Sequence, residues 1–328
     1  MSDREKVFHA LLGAKIDPFS EIRNSGLLTS GSVLVVKDPS DTDYLVVKDA
    51  VGRDNFFDGI QAALDKTRSD KNDYVLVCPK DDNGIWELGT ALDIANDRVH
   101  LISMGYTPSL HGYSNTLRGF GSAALDSEIV NVTGNGVEIA GFRFLGTHGT
   151  TDDGTISAVL SVTGSQFHIH DSAVESNVAA GASDGTLVNV GADGFRADNV
   201  FFGNYEGNHA QISIGASTKR HDFNNCKFVM DAQATTDEFF LAGTGAGEYV
   251  EVRDSSFINV EAGTLPASAV SGSITVDQTA WLLMNNSYVN VSDAGTDPSV
   301  FVSPVSSGTH AEAYNPGIAI GTALAVAA

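Results

Sequence analysis

Cysteine is nearly absent: Cys78 and Cys226 are the only two in 328 residues, far apart along the chain. That excludes a disulfide framework and a thiolate metal cluster. Basic residues are also scarce, 19 Lys and Arg against 41 Asp and Glu, giving a net charge of −22. Nucleic-acid binding needs a basic face, so no nucleic-acid partner is expected. An acidic surface suits a soluble particle or a saline medium. Long apolar runs are missing too. Met1 to Lys6 lead into no hydrophobic stretch, and the small, apolar tail from Phe301 to Ala328 is too interrupted for a membrane helix. Neither a Sec leader nor a membrane partner is expected. The Gly-rich segment Gly243 to Gly247 is followed by no P-loop lysine, so it reads as a bend, and no cofactor is expected.

What the chain does have is a repeat. Val137-Glu-Ile-Ala-Gly-Phe-Arg-Phe144 returns at Phe167–Val174, Phe195–Phe202, His221–Phe228, Val250–Phe257 and Trp281–Tyr288, with a distant copy at Val99–Tyr106. The last six copies start 30, 28, 26, 29 and 31 residues apart. Each alternates apolar and polar residues with period two, the signature of a strand. A second alternating pair precedes each copy: Leu92/Ile94, Val130/Val132, Leu160/Val162, Val188/Val190, Ile212/Ile214, Leu241/Gly243 and Ile274/Val276. A period of this length belongs to a solenoid, in which each strand pairs with its equivalent one coil away. The expected fold is all-β, a single-stranded right-handed parallel β-helix with two strands per coil. A sandwich would need hairpin turns every 8–12 residues or so.

Two columns follow from the alignment. Ser103, Gly141, Asp171, Asn199, Asn225, Asp254 and Asn285 form a corner column, where stacked Asx side chains cap the backbone. Tyr106, Phe144, Val174, Phe202, Phe228, Phe257 and Tyr288 form a column expected to stack inside. The polar positions between the apolar ones should face outward. They read His100, Glu138, His168, Arg196, Asp222, Glu251 and Leu282 in one row, and Ile102, Ala140, His170, Asp198, Asn224, Arg253 and Met284 in the other.

The chain divides into an N-terminal arm over residues 1–54, the β-helix over 55–300 and a tail over 301–328. Within the arm, Ser32–Val36 and Tyr44–Val47 read as strands. A helix over residues 58–67, with Ile60, Ala63, Leu64 and Thr67 on one face, would cap the open end. Asp58-Gly-Ile-Gln-Ala-Ala-Leu64, then Tyr74-Val-Leu-Val-Cys-Pro79, then Val99-His-Leu-Ile-Ser-Met-Gly105 resembles the opening of pectate-lyase-like β-helix proteins, including phage tailspikes. The resemblance spans roughly residues 55–295. It implies a homotrimer in a virion assembled in the host cytoplasm. Within that group the expected role is a capsid decoration (cement) protein, held to the major capsid protein through its N-terminal arm. The alternative is a tailspike-like protein that binds or depolymerises a surface polysaccharide.

For cleavage, Asp171, Asp198 and Asp222 offer carboxylates on successive coils, and glycosidases work with carboxylates about 5–9.5 Å apart. Asp171 lies in the corner column, and ladders of opposite charge are ordinary on such a face. No catalytic residue is therefore assigned. A lyase-like group of Asp198, Asp222, Arg253 and Asp254 matches no family pattern residue by residue. His168 and His170 share one face of a strand but have no third ligand near them in sequence, so no metal is expected.

Overall fold

Apolar positions that recur every 26–31 residues are buried together only if the chain returns to the same place once per period. The computed structural model shows how. It describes residues 31–81, 84–104, 115–120, 128–147, 158–177, 186–207, 210–232, 239–242, 249–260, 270–272, 280–289 and 310–313. Among the described residues all strand pairing is parallel, in three sheets of 11, 8 and 7 strands, and within the coils it joins each strand to its equivalent one coil away. The protein is a parallel β-helix with three strands per coil, not two. The additional strand lies just past the corner: Arg143–Thr147, Ala173–Asn177, Phe201–Gly207, Lys227–Ala232 and Ser256–Asn259. The repeat's apolar column, Phe144, Val174, Phe202, Phe228 and Phe257, is the second residue of each.

Among the described residues the main core runs from Leu34 to Phe257, with a smaller cluster around Val35, Val47 and Phe56. Phe202, Phe228 and Phe257 stack at centroid spacings of 5.1 and 4.8 Å. Each such contact contributes about 0.5–1.5 kcal/mol beyond area burial. The strands ahead of the repeat register Leu92, Val130, Leu160, Val188 and Ile212 as aligned. The next strand is Phe240–Ala242, so Phe240 rather than Leu241 opposes Ile212. Phe239 and Phe240 are both buried while Leu241 is 39% exposed. The seventh strand is Val270–Gly272; Ile274/Val276 lie outside the described residues.

The N-terminal segment is joined to the solenoid. Val33–Val36 pairs in parallel with Asp73–Val77, so this strand of the expected arm belongs to the first sheet. Residues 44–47 are not a strand. They open helix α1 (Tyr44–Val51), which packs Val47 onto Val35, Phe56, Tyr74 and Met104. Tyr44, Val47 and Val51 recur at helical spacing, and that outweighs the β-preference of the Val pair. Helix α2 (Ile60–Leu64) buries Ile60, Ala63 and Leu64 in the main core. Among the described residues, no helix is long and apolar enough to cross a membrane.

Two buried ionisable groups mark where polar chemistry is held inside. Lys37 is buried, and its ammonium lies 2.9 Å from both Asp41 and Asp43 and donates to the Pro79 carbonyl at 2.6 Å. Burial disfavours the charge, but hydrogen bonds to Asp41 and Asp43 outweigh it and raise the pKa. Lys37→Met should strand a buried carboxylate and cost about 3–5 kcal/mol. Adding Asp41→Asn should recover part of the loss in urea unfolding. No recovery would show that the pair is not the cause.

His221 stands where the preceding coils have Phe167 and Phe195, and it is fully buried. Its Nε2 meets Thr218 Oγ1 at 3.0 Å, and that hydroxyl donates to the Gly215 carbonyl. Nε2 therefore carries the proton, and buried Nδ1 has no hydrogen-bond partner. Burial pushes the pKa down to about 4. The unfolded chain takes up this proton first, near pH 6.5. The stabilisation is thus complete above that pH and is lost as pH falls towards 4, by up to about 3 kcal/mol. His221→Phe should lose correspondingly less stability between pH 7 and pH 4.5; equal losses would contradict this.

Candidate functional site

The outward face of the first sheet carries the polar chemistry. Register places His100 opposite Glu138, Glu138 opposite His168, His168 opposite Arg196, Arg196 opposite Asp222 and Asp222 opposite Glu251. The second row runs Ile102, Ala140, His170, Asp198, Asn224 and Arg253. Between the rows, Leu101, Ile139, Ile169, Ala197, Phe223 and Val252 are buried. Strand alternation alone sorts these residues to opposite faces.

Glu138 is the hub of one end. His100 Nδ1 lies 2.5 Å from its Oε2 and His170 Nε2 lies 3.0 Å from its Oε1. Burial would raise the Glu138 pKa, but hydrogen bonds from the two histidines override it and hold the carboxyl well below the usual range. His170 also meets Asp171 through Nδ1 at 2.8 Å. Burial works against its charge, yet hydrogen bonds to Asp171 and Glu138 raise its pKa to about 9. His168 behaves oppositely. Burial lowers its pKa by more than its 2.8 Å contact with Asp198 restores.

Asp198 and Asp222 occupy the other end. Arg196 Nε is 2.6 Å from Asp198 Oδ2 and 4.0 Å from Asp222 Oδ2. Burial raises the Asp198 pKa, but donors from Arg196, Asn224 and His168 win and lower it. For Asp222 burial dominates; Arg253, 3.4 Å away, only partly offsets it, so the pKa is raised. Asp222 Oδ1 is buried without a hydrogen-bond partner. Two neighbouring carboxyls with pKa values pushed apart are what acid–base pairs require.

Of the three carboxylates singled out in sequence, Asp198 and Asp222 come together while Asp171 sits at the corner. Its φ is +50°, with Asn199 at +55°, Asn225 at +52°, Asp254 at +51° and Asn285 at +55°. Asx residues tolerate this left-handed conformation better than others, and Gly141, at +79°, precedes them; Ser103, which the alignment put at the head of the column, instead ends the strand Val99–Ser103 and is not in this conformation. Side-chain amides link neighbours: Asn199 donates to Asp171 at 2.7 Å and Asn285 to Asp254 at 2.5 Å. Tyr106 lies outside the described residues, and Leu117, not Tyr106, registers with Phe144. Tyr288 registers with Phe257.

The histidine pair does have a third potential ligand. Glu138, His168 and His170 each offer one donor atom, all within 4.8 Å of one another. Glu138 is 30 residues from His168, so only the register, which the outward rows already contained, brings it there. Asp41, Asp43 and Asp81 also cluster, but the Lys37 ammonium already sits against Asp41 and Asp43.

No protein-family model matches the chain, and no curated protein matches it by sequence. In structure it is similar to the pectin methylesterase of Aspergillus niger, with TM-score 0.54 and 15% identity over 91% of this chain and 94% of that one. It is also similar to the pectin methylesterase PemA of Erwinia chrysanthemi, with TM-score 0.52 and 15% identity over 89% of this chain and 91% of that one. Likeness at this identity concerns the fold alone, and that fold is a parallel β-helix.

Proposed function

We propose that the chain is a polysaccharide-binding β-helix protein of the tailspike type and that the polar face of the first sheet is its binding surface. The supporting observation is the continuity of that face. Its two rows cross six successive strands, which at about 4.8 Å per strand span about 24 Å, enough for an oligosaccharide. At one end Tyr249 is 43% exposed, with its hydroxyl tied to Glu251 at 2.7 Å, so its ring is available for stacking on a sugar. The structural neighbours named as pectin methylesterases give this reading a precedent on the same fold. With a net charge of −22, the chain repels polyanions, so the ligand class is a neutral polysaccharide.

Binding without cleavage is the form this reading takes. Glycosidic cleavage places the anomeric carbon between two carboxylates. Here the Arg196 guanidinium holds that place between Asp198 and Asp222. Retention on neutral and acidic polysaccharides immobilised in an array should favour neutral members. Tyr249→Ala should weaken retention about tenfold, equivalent to about 1.4 kcal/mol. No retention, or retention unchanged by Tyr249→Ala, would overturn the proposal. Release of reducing ends that disappears in Asp222→Asn would replace binding with hydrolysis.

A second reading is a homotrimeric capsid decoration protein resting on the major capsid protein. It is favoured by the mutual neutralisation of the face, where His100, His168, His170, Arg196 and Arg253 all pair with carboxylates. Such pairing suits burial against another subunit. Imaging of native particles separates the two: copies scattered over the shell support decoration, and copies confined to the tail support the polysaccharide reading.

A further inference from the structure

We propose that Glu138, His168 and His170 form a binding site for a first-row transition-metal dication of the Zn²⁺ type. The site is independent of whether the face binds a polysaccharide. His168 and His170 stand two residues apart on one strand and so project to the same side, their ring centroids 4.8 Å apart. Glu138 stands directly opposite His168 on the neighbouring strand. One donor atom from each lies within 4.8 Å of the others. Donors sharing a tetrahedral zinc ion at about 2.0–2.2 Å are about 3.3–3.6 Å apart, so side-chain rotations that bring the donors about 1 Å closer close the site.

A second observation is independent of this clustering. Each ligand has its remaining polar atom held by another residue. His170 Nδ1 is on Asp171 at 2.8 Å, His168 Nε2 is on Asp198 at 2.8 Å, and Glu138 Oε2 is on His100 at 2.5 Å. That leaves His170 Nε2, His168 Nδ1 and Glu138 Oε1 to ligate; the first and last now hydrogen-bond to each other at 3.0 Å, and the ion would take the place of the proton between them. Metal-bound histidines are typically oriented in this way by a carboxylate on the far ring nitrogen. His100 in turn stacks on Tyr74 at 4.3 Å, which fixes the group that holds Glu138.

The donor set also selects the ion. Two imidazoles and one carboxylate suit Zn²⁺, Co²⁺, Ni²⁺ or Cu²⁺, whereas Ca²⁺ and Mg²⁺ require a shell of oxygens. All three ligands are partly exposed, so a fourth coordination position opens to solvent.

The test uses the untagged full chain, freed of metal by chelation and titrated with ZnCl₂ in a calorimeter and with CoCl₂ by visible absorption. One ion per chain with micromolar or tighter affinity is expected, with a Co²⁺ band characteristic of low coordination number. His168→Asn and Glu138→Gln, which nearly preserve size, should each weaken binding at least tenfold. Their thermal midpoints in chelator serve as the folding check. Asp198→Asn, which leaves the ligands in place, should weaken binding about 10-fold or more through loss of the His168 orientation. Absence of saturable Zn²⁺ binding, or binding unchanged in His168→Asn and Glu138→Gln, would overturn the site.

Discussion

Parallel backbone pairing between equivalent strands of successive coils is the constraint on which everything else in this molecule depends. A chain that closes its strand ladders in this way has no freedom in which residues become neighbours. Residue 168 opposes residues 138 and 196, and so on along the axis. Inward positions become aromatic and aliphatic stacks, and outward positions become rows of facing charges. Corner positions become a column in left-handed conformation, where Asp and Asn are well tolerated.

The outward rows show what this constraint does to chemistry. Groups 26–38 residues apart in sequence are held at ladder spacing, where charge and hydrogen bonding compete with partial burial. The outcome differs from one position to the next. Glu138 and Asp198 are held ionised because histidine or arginine donors overcome desolvation. Asp222, with weaker partners, has its pKa raised by burial. The face is therefore a chain of paired charges with a histidine–glutamate cluster at one end and a bridged carboxylate pair at the other. The same pairing puts the Arg196 guanidinium against Asp198 and Asp222 and gathers Glu138, His168 and His170 at the other end.

Much of this was legible in the sequence, because a coil repeats its pattern at nearly constant length. The outward rows were read by alignment alone, and so were the corner positions Asp171, Asn199, Asn225, Asp254 and Asn285. The third strand of each coil was not, since segments such as Arg143–Thr147 are short and lead into stretches of variable length. Phe239 and Phe240 made two alternations equally plausible, and the wrong one put Leu241 inside. Tyr44–Val47 looked like a strand because of its valines, although Tyr44, Val47 and Val51 face the small cluster at helical spacing. The third group beside His168 and His170 escaped because ligands were sought along the chain, whereas in this fold proximity runs across coils. That is why Glu138 was visible in its row yet not associated with the pair.

The central claim, that register between coils builds the outward face, is tested most directly by directed disulfide formation. Asp222 and Glu251 oppose each other, and paired strand positions fall within the Cα separation a disulfide spans, about 4.4–6.8 Å. Val252, one residue along, is buried on the other side of the strand. Native Cys78 and Cys226 are both buried, and burial pushes each thiol up to about 12, which keeps them out of the reaction. Under mild oxidation an intrachain cross-link, seen by peptide mass spectrometry, is expected in Asp222→Cys with Glu251→Cys and none in Asp222→Cys with Val252→Cys. Failure of the first pair, or equal cross-linking of both, would contradict the claim.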